Sequence, residues 1–182
     1  MKKNAKNRVA ILIDGGNFYK KIRKDGLIPK GTRFNYVKFA EFLAQGRYVV
    51  SKAYYIGIVR NFDKTEKSQK MVESQQKLLT GLENDGYEIK KGKIVYDNDI
   101  REKGVDVQIA IDLVIGAVEN QYDIAIIVSS DTDLIPAMKY IGSKGKVVEY
   151  IGFSNAPSYG MIDESDSHIL LPEEQIISLR KD

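Results

Sequence analysis

The sequence predicts an α/β fold, a three-layer α/β/α sandwich around a central, mainly parallel sheet, and three observations predict it. Short runs such as Arg8 to Ile13 and Tyr122 to Val128 are apolar over several consecutive residues, the signature of strands buried on both faces. Longer segments with helical spacing separate those runs, and strand–helix alternation implies parallel strands covered by helices on both sides. The length of 182 residues, 43% hydrophobic and 29% charged, suits one core. Residues 1–182 are therefore read as one domain, with a motif-bearing core over about 8–153 and a less regular tail over 154–182.

Taken in order, Arg8 to Ile13 forms the first strand and ends at Asp14-Gly15-Gly16-Asn17. In NYVKFAEFLAQG, Phe39, Phe42 and Leu43 line one helical face and Gly46 can end the helix. Tyr48 to Val59 is a second, Val/Ile/Tyr-rich strand, and TEKSQKMVESQQKLLTGLEN a second helix. Tyr87 to Tyr96 reads as a strand or hairpin, with apolar flanks around Lys-Lys-Gly-Lys. VDVQIAIDLVIGAVEN is apolar almost all round and predicts a buried helix. Tyr122 to Val128 and Lys146 to Phe153 supply two further strands; between them Pro136 fits the first turn of a helix capped by Asp133.

Composition excludes several chemistries. With no cysteine, thiolate zinc sites, cysteine nucleophiles and disulfides are absent, and the lone His168 cannot build a histidine cage. Any chemistry must run on oxygen ligands. The amino-terminal apolar run from Val9 to Ile13 is too short for a signal-peptide core, and no window approaches a membrane span. The expectation is a soluble, cytoplasmic protein with no membrane partner; homo-oligomerisation is left open. Lys and Arg heavily outnumber Asp and Glu up to Lys103, and the balance reverses after it. Such asymmetry could hold a polyanion beside a cation-binding cluster, although most surface charge only keeps proteins soluble.

In an open parallel sheet, ligands gather at the carboxyl ends of strands where the strand order reverses. There the first strand delivers Asp14 and Asn17, with two glycines that allow close backbone or phosphate approach. Asp14 can equally cap the following helix. The loop lacks GxGxxG and GK[ST], which takes most of the weight from dinucleotide and Walker-type phosphate binding. The later strand delivers Ser129-Ser130-Asp131-Thr132-Asp133, where a helix cap at Asp133 leaves Asp131 free at the strand end. Asp106 opens an apolar helix, an odd place for a carboxylate unless it faces a polar site. Asp112 lies six residues on, about 240° around that helix, and reads as a paired structural carboxylate. Asp14, Asp106 and Asp131 around one point would make a hard, all-oxygen site suited to Mg²⁺ or Mn²⁺. Such an ion polarises a phosphate and lowers the pKa of a bound water.

These segments resemble the NYN domain, in particular its LabA-like branch within the PIN-like nuclease superfamily. The match runs from about Arg8 to Phe153 through Asp14-Gly-Gly-Asn17, Lys103-Gly104-Val105-Asp106 with Asp112 beyond, and Ser129-Ser130-Asp131-Thr132-Asp133-Leu134. The resemblance implies a divalent-metal site and endonucleolytic cleavage of RNA. It places metal ligands at Asp14, Asp106 and Asp131, with Asn17 and Asp133 completing the acidic pocket and Ser130 and Thr132 organising the loop. Nothing functional carries over to Asp166 or His168. Substrate contacts would come from Lys20, Lys21, Arg23 and Lys24 after the first loop, Arg60 and Lys64 after the second strand, and Lys103. A solvated helix face explains KKIRK equally well. Two other functions stay open: a non-catalytic RNA-binding or regulatory module on the same fold, and a small phosphohydrolase.

Overall fold

The computed structural model describes residues 7–24, 27–29, 32–61, 63–96 and 100–181. Its elements run β1 (Arg8–Asp14), α1 (Gly15–Tyr19), a π-helical turn (Lys20–Lys24), β2 (Arg33–Phe34), α2 (Tyr36–Ala44) and β3 (Tyr48–Ile58). Then come α3 (Glu66–Asn84), β4 (Glu88–Tyr96), β5 (Ile100–Lys103), α4 (Val105–Val118), β6 (Ile124–Val128) and a 3-10 turn (Thr132–Leu134). The chain closes with α5 (Ile135–Ser143), β7 (Val147–Phe153), α6 (Tyr159–Asp163), β8 (Ser167–Leu171), α7 (Glu173–Ser178) and β9 (Arg180–Lys181).

Seven strands form one sheet in the order β5-β4-β3-β1-β6-β7-β8, parallel throughout except for β5. It is the three-layer α/β/α arrangement that the alternating pattern predicts. Alternation along β1 divides the core. Val9, Ile11 and Ile13 face the layer holding α1 and α2, while Ala10 and Leu12 face α4 and α5. From β1 the chain builds outward through β3 and β4 on one side, and through β6, β7 and β8 on the other. The order reverses between β1 and β6, which makes their carboxyl ends the expected ligand-binding edge.

Three expectations need correction. The helix α4 is not buried all round: Ile109, Leu113 and Ala117 pack on the sheet, but Val107 is 62% and Val118 59% exposed. An apolar sequence records no partner for the outer face of a helix in an outer layer. The segment after Phe153, expected to be least regular, adds β8 to the sheet beside β7, and β9 pairs with β2. Finally, Asp133 does not cap α5. The residue before that helix is Leu134, in helical conformation and without a side-chain cap, because the 3-10 turn feeds straight into α5. Asp131 caps that turn instead, Oδ1 accepting from the Asp133 N–H at 2.9 Å. Pro136 does lie in the first turn of α5.

Candidate active site

The parallel register of β1 against β6 builds the site. Ile13 pairs with Val128, so the next residue of each strand, Asp14 and Ser129, leave the sheet side by side. The Ser129 hydroxyl donates to Asp14 Oδ2 at 2.8 Å, and its oxygen accepts the Asp131 N–H at 3.2 Å. One buried serine therefore ties the Asp14 carboxylate to the main chain of Asp131. The other Asp14 oxygen, Oδ1, accepts the Asn17 N–H at 3.0 Å and caps α1. Asp14 thus both caps a helix and faces the rim, where the sequence left these as alternatives. Asn17 is carried on α1 beside Phe18, which stacks on Phe39 and meets Phe34 and Phe153 edge-on or tilted, with ring centroids 5.3 to 5.8 Å away. That aromatic cluster fixes the short helix against α2 and β7.

Asp14 is only 5% exposed. Burial pushes its carboxyl above the usual carboxylate range, opposed by the hydrogen bonds from Asn17 and Ser129, with the charge of Asp131 adding to the rise. Asp106, in the first turn of α4 after the left-handed Gly104, is raised in the same direction, first by burial and then by Asp131, Asp14 and Asp133. The four carboxylates named from the sequence therefore lie within one another's fields. Among the described residues, however, no three of them stand in a group that could close around a metal ion. Mutual repulsion opposes closer approach.

The donor chemistry fits a hard divalent cation: every candidate group is an oxygen, and the Asn17 side-chain oxygen is buried with no hydrogen-bond partner among the described residues. As they stand the carboxylates are too far apart to close on an ion, so Asp14, Asp106 and Asp131 are the oxygen donors that such an ion would have to draw together.

The remaining candidates separate. Lys20 is exposed in the π-helical turn, and its charge acts on Asp14. Lys21 is half-buried in the same turn. Arg23 turns away, donating to the carbonyls of Ile28 and Thr32 at 3.1 and 2.7 Å and to that of Pro29. The Lys24 side chain falls outside the described residues. Arg60 and Lys64 are exposed between β3 and α3, and Lys103 ends β5 opposite Lys93. Ser130 meets the Tyr150 hydroxyl of β7 at 3.2 Å and Thr132 is exposed, while the hydrogen bonds that join Asp14 to this loop run through Ser129. Asp112 takes hydrogen bonds from Tyr55 and Gln108 at 2.9 and 2.8 Å and lies 3.6 Å from the Lys90 ammonium. Asp166 accepts from the Val148 N–H at 2.7 Å, and His168 is exposed on β8.

Two residues at this rim were missed by the sequence reading, Ser129 and Glu102. Glu102 lies on β5, and its side chain accepts a hydrogen bond from the Gly57 N–H of β3. The residue as a whole is exposed, yet its carboxyl end is desolvated there. That desolvation raises its pKa, Asp14 and Asp106 add to the rise, and the Gly57 hydrogen bond and Lys20 oppose it.

A doubly flanked parallel sheet with carboxylates at its order reversal is consistent with the PIN-like class of α/β/α domains. The chain belongs to the NYN domain family, which matches residues 8–172 and is part of the PIN-like nuclease superfamily. Among solved structures it is similar to a protein of unknown function from Vibrio parahaemolyticus RIMD 2210633, at 26% identity and a TM-score of 0.71, over 94% of this chain and 96% of that one. No curated protein matches. No helix among the described residues is long and apolar enough to cross a membrane.

Proposed function

We propose that this chain is a divalent-metal-dependent endoribonuclease of the LabA-like branch, hydrolysing RNA phosphodiester bonds in the cytoplasm. The observation that carries the reading is the buried Asp14 carboxylate, tied through Ser129 to Asp131 and lying in the fields of Asp106 and Asp131. Bound there, Mg²⁺ or Mn²⁺ would supply a polarised phosphate and a more acidic water. The chain's own residues do the rest. Asp14, Asp106 and Asp131 attract and hold the cation; Ser129 and the Asn17 N–H fix the Asp14 oxygens; Asp133 adds negative charge at the mouth. Lys20, Lys21 and Lys103, with Arg60 and Lys64 further out, offer phosphate contacts that bring affinity without sequence preference.

The test is cleavage of a mixed RNA pool with and without Mn²⁺, beside Asp14→Asn. Cleavage that needs the metal and disappears in the variant supports the reading; equal cleavage by the variant removes Asp14 from it. The separation of the carboxylates favours one second reading, a non-catalytic RNA-binding module. Salt-sensitive RNA binding with no cleavage in any divalent metal would establish that module instead.

A further inference from the structure

We propose that Glu102, delivered by the edge strand β5, is a further carboxylate of this site and sets how tightly the divalent cation is held; the inference rests on the metal-dependent reading above. The geometry is specific. Glu102 pairs with Ile94 of β4, and its side chain crosses that strand to reach Gly57 of β3, which itself pairs with Gly92. A methyl group at Gly57 would stand 2.8 Å from Glu102 Oε1, 2.9 Å from its Cγ and 3.0 Å from Ile94 Cγ1, so a side chain there would push the glutamate out of its place. The second oxygen lies over Gly16. A methyl group there would collide with Glu102 Oε2 and would also stand 3.7 Å from Asp14 Oδ1. The two carboxylates therefore border one spot above Gly16, on the side of Asp14 away from β6. One Glu102 oxygen is anchored to a backbone amide, and the other is presented to the rim.

Tying β5 to β3 does not by itself need a charge. A glutamine would accept the Gly57 N–H equally well and would spare the repulsion from Asp14 and Asp106. A glutamate in that place is explained where positive charge is shared, and Lys20 acts on both Glu102 and Asp14. Oxygen sites for divalent ions tune their affinity through the number of charged donors, so a carboxylate here raises affinity for the ion.

The experiment titrates Mn²⁺ into the full chain, following free Mn²⁺ by electron paramagnetic resonance, for the wild type, Glu102→Gln, Gly57→Ala and Asp14→Asn. Each variant is also melted without metal. The expected result is roughly tenfold weaker Mn²⁺ binding by Glu102→Gln at a metal-free melting temperature no lower than that of the wild type, a similar weakening by Gly57→Ala, which displaces the side chain, and loss of binding by Asp14→Asn. If Glu102→Gln binds as the wild type does while Asp14→Asn does not bind, Glu102 only ties the hairpin down and the metal-dependent reading stands. A lowered melting temperature with unchanged affinity overturns the inference in the same way. If the wild type does not bind Mn²⁺, or Asp14→Asn binds it equally well, the metal-dependent reading fails and this inference fails with it.

Discussion

Holding Asp14 almost out of water costs free energy that its hydrogen bonds from Asn17 and Ser129 only partly offset, since the net effect is a raised pKa. The folded chain therefore holds the Asp14 proton more tightly than the unfolded chain. The resulting stability is present below the ordinary carboxylate pKa and lost as pH rises through the raised value. At neutral pH and without metal, Asp14→Asn should melt higher than the wild type, which a thermal melt of the two proteins reads. A lower melting temperature would mean that the hydrogen bonds outweigh desolvation. Because Asp106 is raised in the same direction, protons should compete with the cation for this site, so Mn²⁺ affinity should begin to fall on the acid side at a higher pH than ordinary carboxylates would set, which Mn²⁺ titrations at a series of pH values read directly. The strand-end aspartates were legible because each interrupts an apolar run. Ser129 was not, since a serine in a loop has no periodicity and only the pairing of Ile13 with Val128 puts it beside Asp14. Glu102 resembles any solvated charge in IREKGVD until the hairpin register aims it at Gly57.

Among the elements, the passage from β6 to α5 carries the sharpest difference between sequence and structure. Pro136 correctly marked the first turn of α5, but the proline rule could not foresee the 3-10 turn that moves the cap back to Asp131. Both carboxylates belong to the proposed site, yet their structural costs should differ. Asp131→Ala removes an oxygen that accepts the Asp133 N–H and should cost ~1 kcal/mol in urea denaturation. Asp133→Ala removes an exposed side chain that caps nothing, so its cost should stay within about 0.5 kcal/mol. Equal losses would return the cap to Asp133. At the opposite ends of β1 and β6, Arg8 clasps Asp123 through its main-chain N–H at 2.9 Å and its guanidinium at 2.8 and 3.2 Å, holding the Asp123 pKa down to about 2. A lowered folded pKa gives stability that is present above the ordinary carboxylate pKa and lost as pH falls toward about 2. Asp123→Asn should therefore destabilise at neutral pH by less than ~1 kcal/mol, because the pair is partly solvated, with a difference that vanishes in acid.

For the molecule as a whole, alternating apolar runs made the sheet legible, because strands buried on both faces leave an unbroken hydrophobic record. The last sheet strand left no such record. In β8, Ser167 and His168 are exposed, Ile169 and Leu170 are half-buried, and only Leu171 is fully inside, as suits an edge strand with one neighbour. Yet Leu171 is 2% exposed within the same cluster as Val9, Phe18 and Phe153, and its carbonyl accepts the Ser154 N–H at 3.0 Å. Ile176 and Leu179 join that cluster from α7 and the turn after it, and β9 closes on β2 next to the ring of Phe34. If the closing segment is part of one cooperative unit, Leu171→Ala should lower the stability of the entire sheet by about 2–5 kcal/mol, as Leu43→Ala should from the opposite end of the sequence. Both variants should still unfold in one urea transition with an unchanged slope. A Leu171→Ala protein that unfolds in two steps, with the main transition at the wild-type midpoint, would show instead that the segment after Phe153 is an attachment to a core that is stable without it.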